Sequence, residues 1–436
     1  MISTTRDCAS RRWSAGSGLL ILLLLFWDGL GRSAILWAAI FAAVSPAMVF
    51  YSRYFIHEML LVFFTALTLG AGWRYAQTHL ARWAVMTGAG LGLMVTTKET
   101  FVLTLAALGL AGVLTLWWTL PKARRVQSLR AFWNWQHAAL FLGTAFIIWL
   151  ALFSSFFTNW GGPLDSIRTY FPWLKRAGGH SPHLHPWSFY LERLAWFHPA
   201  KSPVWSEGLI LLLATLGAVV SLVKKSPLHR FLALFTILLT AIYSAISYKT
   251  PWCLLNFYLG MILLAGVGAE ALVEFFRARS LRIVLTVVLL ALTAQLASQC
   301  VRANFVFVAD RRNPYVYAQT VPDLLNLVRR TEALARVAPT GFATVVKVIA
   351  PESDYWPLPW YLRRFQNLGW YEKLPDERLA PIMIVSSQLD ARLDEKSDKK
   401  WLMVGLTELR PGKFFEQYVE LELWKKYVET LPRERE

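Results

Sequence analysis

Long apolar runs separated by short polar breaks fill residues 1–302, after which the pattern changes. The runs predict helices at roughly 16–30, 33–51, 58–75, 82–97, 100–119, 135–157, 207–223, 229–247, 252–271 and 282–299, each near the length that crosses a hydrocarbon core. From residue 303 the runs shorten and alternate in type. An amphipathic helix is expected at Asp323–Ala338, strands at Ala343–Ala350, Pro381–Ser386 and Trp401–Glu408, and a helix at Leu389–Lys396. Phe414–Val428 reads as strand or helix. The fold class expected is therefore a polytopic α-helical membrane protein of about ten transmembrane helices. Residues 1–302 would form its membrane domain, with an outer loop at about 158–206, and residues 303–436 a small C-terminal extracytoplasmic α/β domain.

Composition agrees with a bilayer as the partner of residues 1–302. The chain is 56% hydrophobic with a mean hydropathy of +0.40 and contains 21 Trp and 27 Phe, too apolar for an ordinary soluble chain. The net charge of +17 is uneven: residues 1–302 carry 25 basic against 9 acidic residues, and 303–436 carry 20 against 19. The excess sits in short clusters between apolar runs, which excludes a nucleic-acid footprint and points to topology or phosphate contacts. No glycine-rich phosphate loop occurs in the C-terminal region.

The basic clusters set an orientation. Lys122, Arg124, Arg125 and Arg130 mark a cytoplasmic loop, and alternation puts Arg74–Arg82, Lys224–Arg230 and Arg277–Arg282 on the same side. None of those three contains an acidic residue. Tyr51–Glu58, Thr97–Thr100, the loop at about 158–206 and Lys249–Trp252 then face outward. The apolar run after Arg11 and Arg12 is not followed by a small-residue cleavage site, against a signal peptide. Alternation also places basic Arg6, Arg11 and Arg12 outside. Either the first helix is misread, or the chain is short of a first membrane span ahead of Met1, which would remove this conflict.

Nine acidic residues lie in 1–302, and topology leaves Glu58, Glu99, Asp165, Glu192 and Glu207 for the outer face. Glu58 and Glu99 stand at helix ends, close in sequence to Arg53, His57 and Lys98. One reading is an interfacial ion pair that fixes loop geometry. The other is a polar pocket in which cations take a phosphate while a carboxylate handles a proton. Charged residues at membrane depth are costly, so both readings are specific.

The outer loop carries Trp160, Trp173, Trp187, Trp196 and Trp205, with His180, His183, His185 and His198. The His180–His185 stretch is interrupted by proline and has no acidic or Cys partner to complete a metal set. The aromatics suit an interfacial belt, or stacking on sugar faces. Asp354–Arg363 holds a proline-stiffened aromatic surface. Cys8, Cys253 and Cys300 form no disulfide framework; Cys253 and Cys300 could pair if both ended on an oxidising face, but two inert thiols are the preferred reading.

Ser45-Pro with Tyr51-Ser-Arg53 and Glu58, together with Gly88-Ala-Gly-Leu-Gly92 and Thr97-Lys98-Glu99, resembles the polytopic GT-C glycosyltransferases of the protein mannosyltransferase and aminoarabinose-transferase type. Ser247–Trp252, Asn313–Thr320 and Asp354–Arg363 are similar to the prokaryotic family named for association with flippase activity in archaeal surface glycosylation. The resemblance spans about residues 15–430. It implies a GT-C-like fold and transfer of a sugar from a polyprenyl-phosphate carrier to a glycan, lipid or protein acceptor on the outer face of the plasma membrane. In such enzymes a carboxylate of the first outer loop is the usual base, and that loop has no counterpart here. A second acidic position matches Glu58, and a lysine after the fourth family helix matches Lys98. Catalysis is therefore assigned to Glu58, and substrate binding to Arg53, His57, Lys98, Glu99 and Lys249. The sequence demands no cofactor beyond the donor and no metal, although a divalent cation bridging Glu58 and phosphate is compatible with it. The rival reading is a non-catalytic partner in lipid-linked glycan handling or flipping. A secondary transporter is weaker, because no internal repeat is visible.

Overall fold

The computed structural model describes residues 15–54, 56–119, 134–172, 183–375 and 379–432. The Lys122–Arg130 cluster, Arg6, Asp7, Cys8, Arg11, Arg12, Trp173 and His180 lie outside them. The chain divides into two compact units, Met1–Val306 and Phe307–Glu436.

The first unit is helical. Its elements are α1 (Ala15–Leu30), α2 (Arg32–Val44), α3 (Pro46–Arg53), α4 (Glu58–Thr78), α5 (Ala81–Thr97), α6 (Phe101–Thr119) and α7 (Trp135–Phe153). Short helices α8 (Gly162–Arg168) and α9 (Phe189–Ala195) follow, then α10 (Gly208–Val223), α11 (Pro227–Ala245), α12 (Leu255–Phe275) and α13 (Arg279–Val301). Among the described residues, six helices are long and apolar enough to cross a membrane, or seven if α2 and α3 count as one bent span. α1 and α10 are apolar but shorter.

Two expectations are corrected. Residues 33–51 do not form one helix, because the chain bends by 57° between α2 and α3. Pro46 has no N–H to donate and pushes Ser45 into extended backbone (φ −62°, ψ 121°), so a new helix starts with proline in its first turn. The Ser45 hydroxyl caps that start by accepting from the Met48 N–H at 3.1 Å. The segment at 158–206 is also more than a loop. It holds α8 and α9, and isolated bridges pair Leu184 with Tyr248 and Phe197 with Trp205.

Helix packing within the membrane rests on small residues, since lipid tails are as apolar as leucine. A Cβ at Gly217 of α10 would stand 1.8 Å from the Leu264 carbonyl oxygen of α12, and one at Gly268 would stand 2.0 Å from that of Leu213. Gly88 of α5 meets the Phe141 carbonyl of α7 in the same way, at 2.2 Å. α12 is the central helix, with most of its length buried. α7 and α13 present Leu142, Phe146, Ile147, Val287 and Leu290 outward, as a lipid-facing surface requires.

The second unit is an α/β sandwich. Its five-stranded sheet has the order β2-β1-β3-β5-β4, from β1 (Val346–Ile349), β2 (Leu368–Tyr371), β3 (Ile382–Ser386), β4 (Trp401–Arg410) and β5 (Lys413–Glu420). β1 pairs in parallel with β2 and β3, while β5 runs antiparallel to β3 and β4. Helices α14 (Leu324–Val337) and α15 (Leu421–Glu429) cover one face with Leu324, Leu327, Leu334 and Leu423, against Val346, Val348, Ile382 and Ile384. The other face buries Ile349, Met383 and Val385 beneath Ala391 and Leu393. β1 and β3 are buried on both sides, which explains the apolar run Ile382–Val385 of β3; in β1 the run is interrupted by Lys347, whose ammonium lies 5.3 Å from the centre of the Tyr371 ring. The segment 414–428 resolves as strand followed by helix.

Candidate active site

The ends of α4 and α5 bring Glu58 and Lys98 together. Glu58 opens α4 and Lys98 caps α5 at its carboxyl end; their side chains form an ion pair across forty residues of sequence. Glu58 is 3% exposed and Lys98 17%. A carboxylate in the first turn of a helix also lies favourably in the helix dipole.

Lys98 and Glu99 line a cavity of about 150 Å³ with Tyr190 of α9, Tyr243 of α11, and Tyr248 and Trp252 of the α11–α12 connection. Glu58 does not line it; the ion pair with Lys98 links the two. The Glu99 carbonyl accepts from the Tyr170 hydroxyl at 3.4 Å, and burial, then Glu99, push that phenol's pKa upward. The cavity thus combines a cation, a carboxylate and several aromatic hydroxyl groups, a lining suited to a polar ligand with an anionic group.

Lys249 is placed differently. It is 1% exposed, and its ammonium donates to the backbone carbonyls of Ile246 and, at 3.2 Å, His185. Burial lowers its pKa from 10.5. The bridge between Leu184 and Tyr248 explains this orientation, since successive residues of an extended segment point to opposite sides. Tyr248 and Thr250 reach the cavity, and Lys249 does not line it.

Arg53 ends α3. Its guanidinium donates to the Asn304 carbonyl and lies 4.3 Å from the centre of the Phe305 ring, within the π-helical turn Arg302–Val306. It also lines a second cavity of about 200 Å³ with Ser52, Met48 and Met59. His57 is exposed at the N-cap of α4 and makes no side-chain hydrogen bond among the described residues. So Glu58, Lys98 and Glu99 form one neighbourhood, and Arg53, His57 and Lys249 stand apart from it.

Glu207, one of the five acids that the charge pattern places outside, is a residue that sequence reasoning left outside the site. It is 1% exposed and accepts from the Ser45 hydroxyl at 2.6 Å, the Ala47 N–H at 2.8 Å and the Tyr258 hydroxyl at 2.6 Å. Its sequence signal is the same as that of Glu58, a carboxylate directly ahead of an apolar helix. Among the described residues no three His, Cys, Asp or Glu side chains gather as a metal set.

The arrangement of helices is shared with solved structures. The structure is similar to ArnT from Cupriavidus metallidurans bound to undecaprenyl phosphate, with a TM-score of 0.60 and 12% identity over 96% of this chain and 84% of that one. It is similar to the same protein in the apo state, with a TM-score of 0.58 and 13% identity over 94% and 83%. The model of the dolichyl-phosphate-mannose-protein mannosyltransferase family matches residues 8–159. No curated protein matches the sequence. The chain is a polytopic membrane protein with a GT-C-like fold and a small C-terminal α/β unit.

Proposed function

We propose that the chain is a membrane glycosyltransferase that takes a sugar from a polyprenyl-phosphate carrier and transfers it to an acceptor. The observation that carries this reading is the Glu58–Lys98 pair beside a polar, tyrosine-lined cavity, in a fold shared with a protein that binds undecaprenyl phosphate. The site is assigned to the extracytoplasmic face. Glu58, Lys98 and Tyr248 lie at the helix ends opposite the basic breaks at 74–82, 224–230 and 277–282.

In this reading Lys98 holds the donor phosphate as a point charge. Without donor, the same ammonium neutralises Glu58. Phosphate arriving at Lys98 competes for it and leaves Glu58 free to accept the proton of an acceptor hydroxyl. The acceptor oxygen bonds to the anomeric carbon while the carbon–oxygen bond to phosphate breaks. The electron pair stays with the departing polyprenyl phosphate, whose charge Lys98 stabilises. Glu99, which lines the same cavity as Lys98, flanks this path.

The test is transfer of labelled sugar from a polyprenyl-phosphate sugar by the full chain and by Glu58→Gln. Loss of transfer in the variant is expected; equal rates would remove Glu58 from the reaction. Lys98→Ala is expected to weaken donor-lipid binding, and unchanged affinity would remove Lys98.

A further inference from the structure

The bend between α2 and α3 has an unusual fastening. The outer segment ends in Trp205-Ser206-Glu207, and each residue of it is anchored. Trp205 is bridged to Phe197, the Ser206 N–H donates to the Gln299 side-chain Oε1 of α13 at 2.8 Å while the Ser206 carbonyl accepts from Gln299 Nε2 at 3.3 Å, and the Glu207 N–H donates to the Leu194 carbonyl at 2.7 Å. From this held base the Glu207 carboxylate receives Ser45, Ala47 and Tyr258. Two of these donors lie at the start of α3, and the third comes from the central helix α12. The far end of α3 is held separately, where Arg53 meets Asn304 and Phe305. Five residues beyond Arg53, α4 begins with Glu58.

We propose that Glu207 is a positioning residue for this site. It fixes the direction in which α3 leaves the bend, and so the place at which the chain delivers Arg53 and Glu58. The carboxylate suits this because two oxygens can take several donors converging from different helices, and a side chain without acceptors would leave a buried N–H unpaired. Glutamine keeps one carbonyl oxygen for the Ala47 N–H, while the Ser45 and Tyr258 hydroxyl groups can turn to accept from its amide. A positional role therefore survives Glu207→Gln, whereas a role as proton acceptor does not.

The inference rests on the proposed function for its kinetic readout, but its geometric readout is independent. Full-length protein carrying His57→Cys is labelled with a water-soluble maleimide at the exposed position before α4, with and without changes at Glu207. Glu207→Ala is expected to alter the labelling rate and to lower kcat more than KM changes, by as much as about a hundredfold, as displaced catalytic groups do. Glu207→Gln is expected to restore both toward the parent. If Glu207→Ala does not fold, Ser45→Ala combined with Tyr258→Phe removes two of the donors and is expected to shift labelling in the same direction. Unchanged labelling in Glu207→Ala or, failing that, in the double variant overturns the inference. So does a Glu207→Gln protein that labels normally but has lost as much kcat as the alanine variant. Altered labelling in a protein that never transfers sugar would support the positioning role and count against the proposed reaction alone.

Discussion

Lys98 and Glu58 neutralise one another at adjacent ends of α5 and α4, in a place where either charge alone would be poorly solvated. Removing one partner of a buried pair leaves an uncompensated charge and typically costs about 3 kcal/mol, while removing both is far milder. Glu58→Ala is therefore expected to lower the thermal midpoint in detergent more than the double variant Glu58→Gln with Lys98→Met. A double variant no better than the single would show that the pair carries no such coupling.

The close contact of α10 and α12 yields a second expectation. Gly268→Val places branched atoms where even a Cβ would sit 2.0 Å from the Leu213 carbonyl, and overpacking of this kind costs about 1–3 kcal/mol or more. Gly109→Val on α6 is the control, because among the described residues no atom beyond its chain neighbours and its own helix backbone lies within 4 Å of its added Cβ. Thermal unfolding in one detergent should separate the two variants clearly. Equal midpoints would mean that the α10–α12 contact is not close-packed in solution.

Lys249 predicts a pH response. Its folded-state pKa lies below 10.5 because burial disfavours the ammonium, so the unfolded chain binds the proton more tightly. Stability from this group is fully present above 10.5 and is lost as pH falls through the lowered folded value. Lys249→Met removes this slope. Unfolding midpoints measured from pH 8 upward should be flatter for the variant, and parallel curves would contradict the assignment.

In the C-terminal unit, Asp354 pairs with Arg410 and, at 2.8 Å, with Lys413. Burial raises its pKa, but the hydrogen bonds from Lys413 and Arg410 outweigh burial and hold it below 3.8. Its stabilisation is present above 3.8 and is lost as pH falls through the depressed value. Asp354→Asn should lower the neutral-pH midpoint of this unit's unfolding and reduce its acid sensitivity. An unchanged acid limb would assign that sensitivity to other carboxylates.

Helix placement was readable because a span must be apolar over its whole length, and few arrangements of these runs satisfy that. The bend was missed: Ser45-Pro46 marks it, but hydropathy runs straight through and favours one long helix. Pairing was less accessible. Arg53 is five residues from Glu58, and Lys98 is forty away, yet Lys98 makes the pair while Arg53 turns to a carbonyl 251 residues distant. Helix packing decides such partners, and linear spacing carries little of it. Lys249 failed to reach the cavity for a local reason, the alternation of an extended segment, whose bridge to Leu184 no short pattern announces. The aromatic cavity wall draws on α9, α11 and the α11–α12 connection at once, so no single motif could have displayed it.

The order of strands in the second unit bears on how its gene can be cut. β3 is buried on both faces and borrows one edge from β1 and the other from β5, which arrives only after the β4–β5 turn at Gly412. A chain ending before residue 413 would leave a row of unsatisfied backbone groups on a strand made of Ile382, Met383, Ile384 and Val385. Such an edge recruits other chains into sheets. Shortened versions of this unit should stay monomeric only when they retain Glu420, and stop codons placed between β3 and that point should yield aggregates.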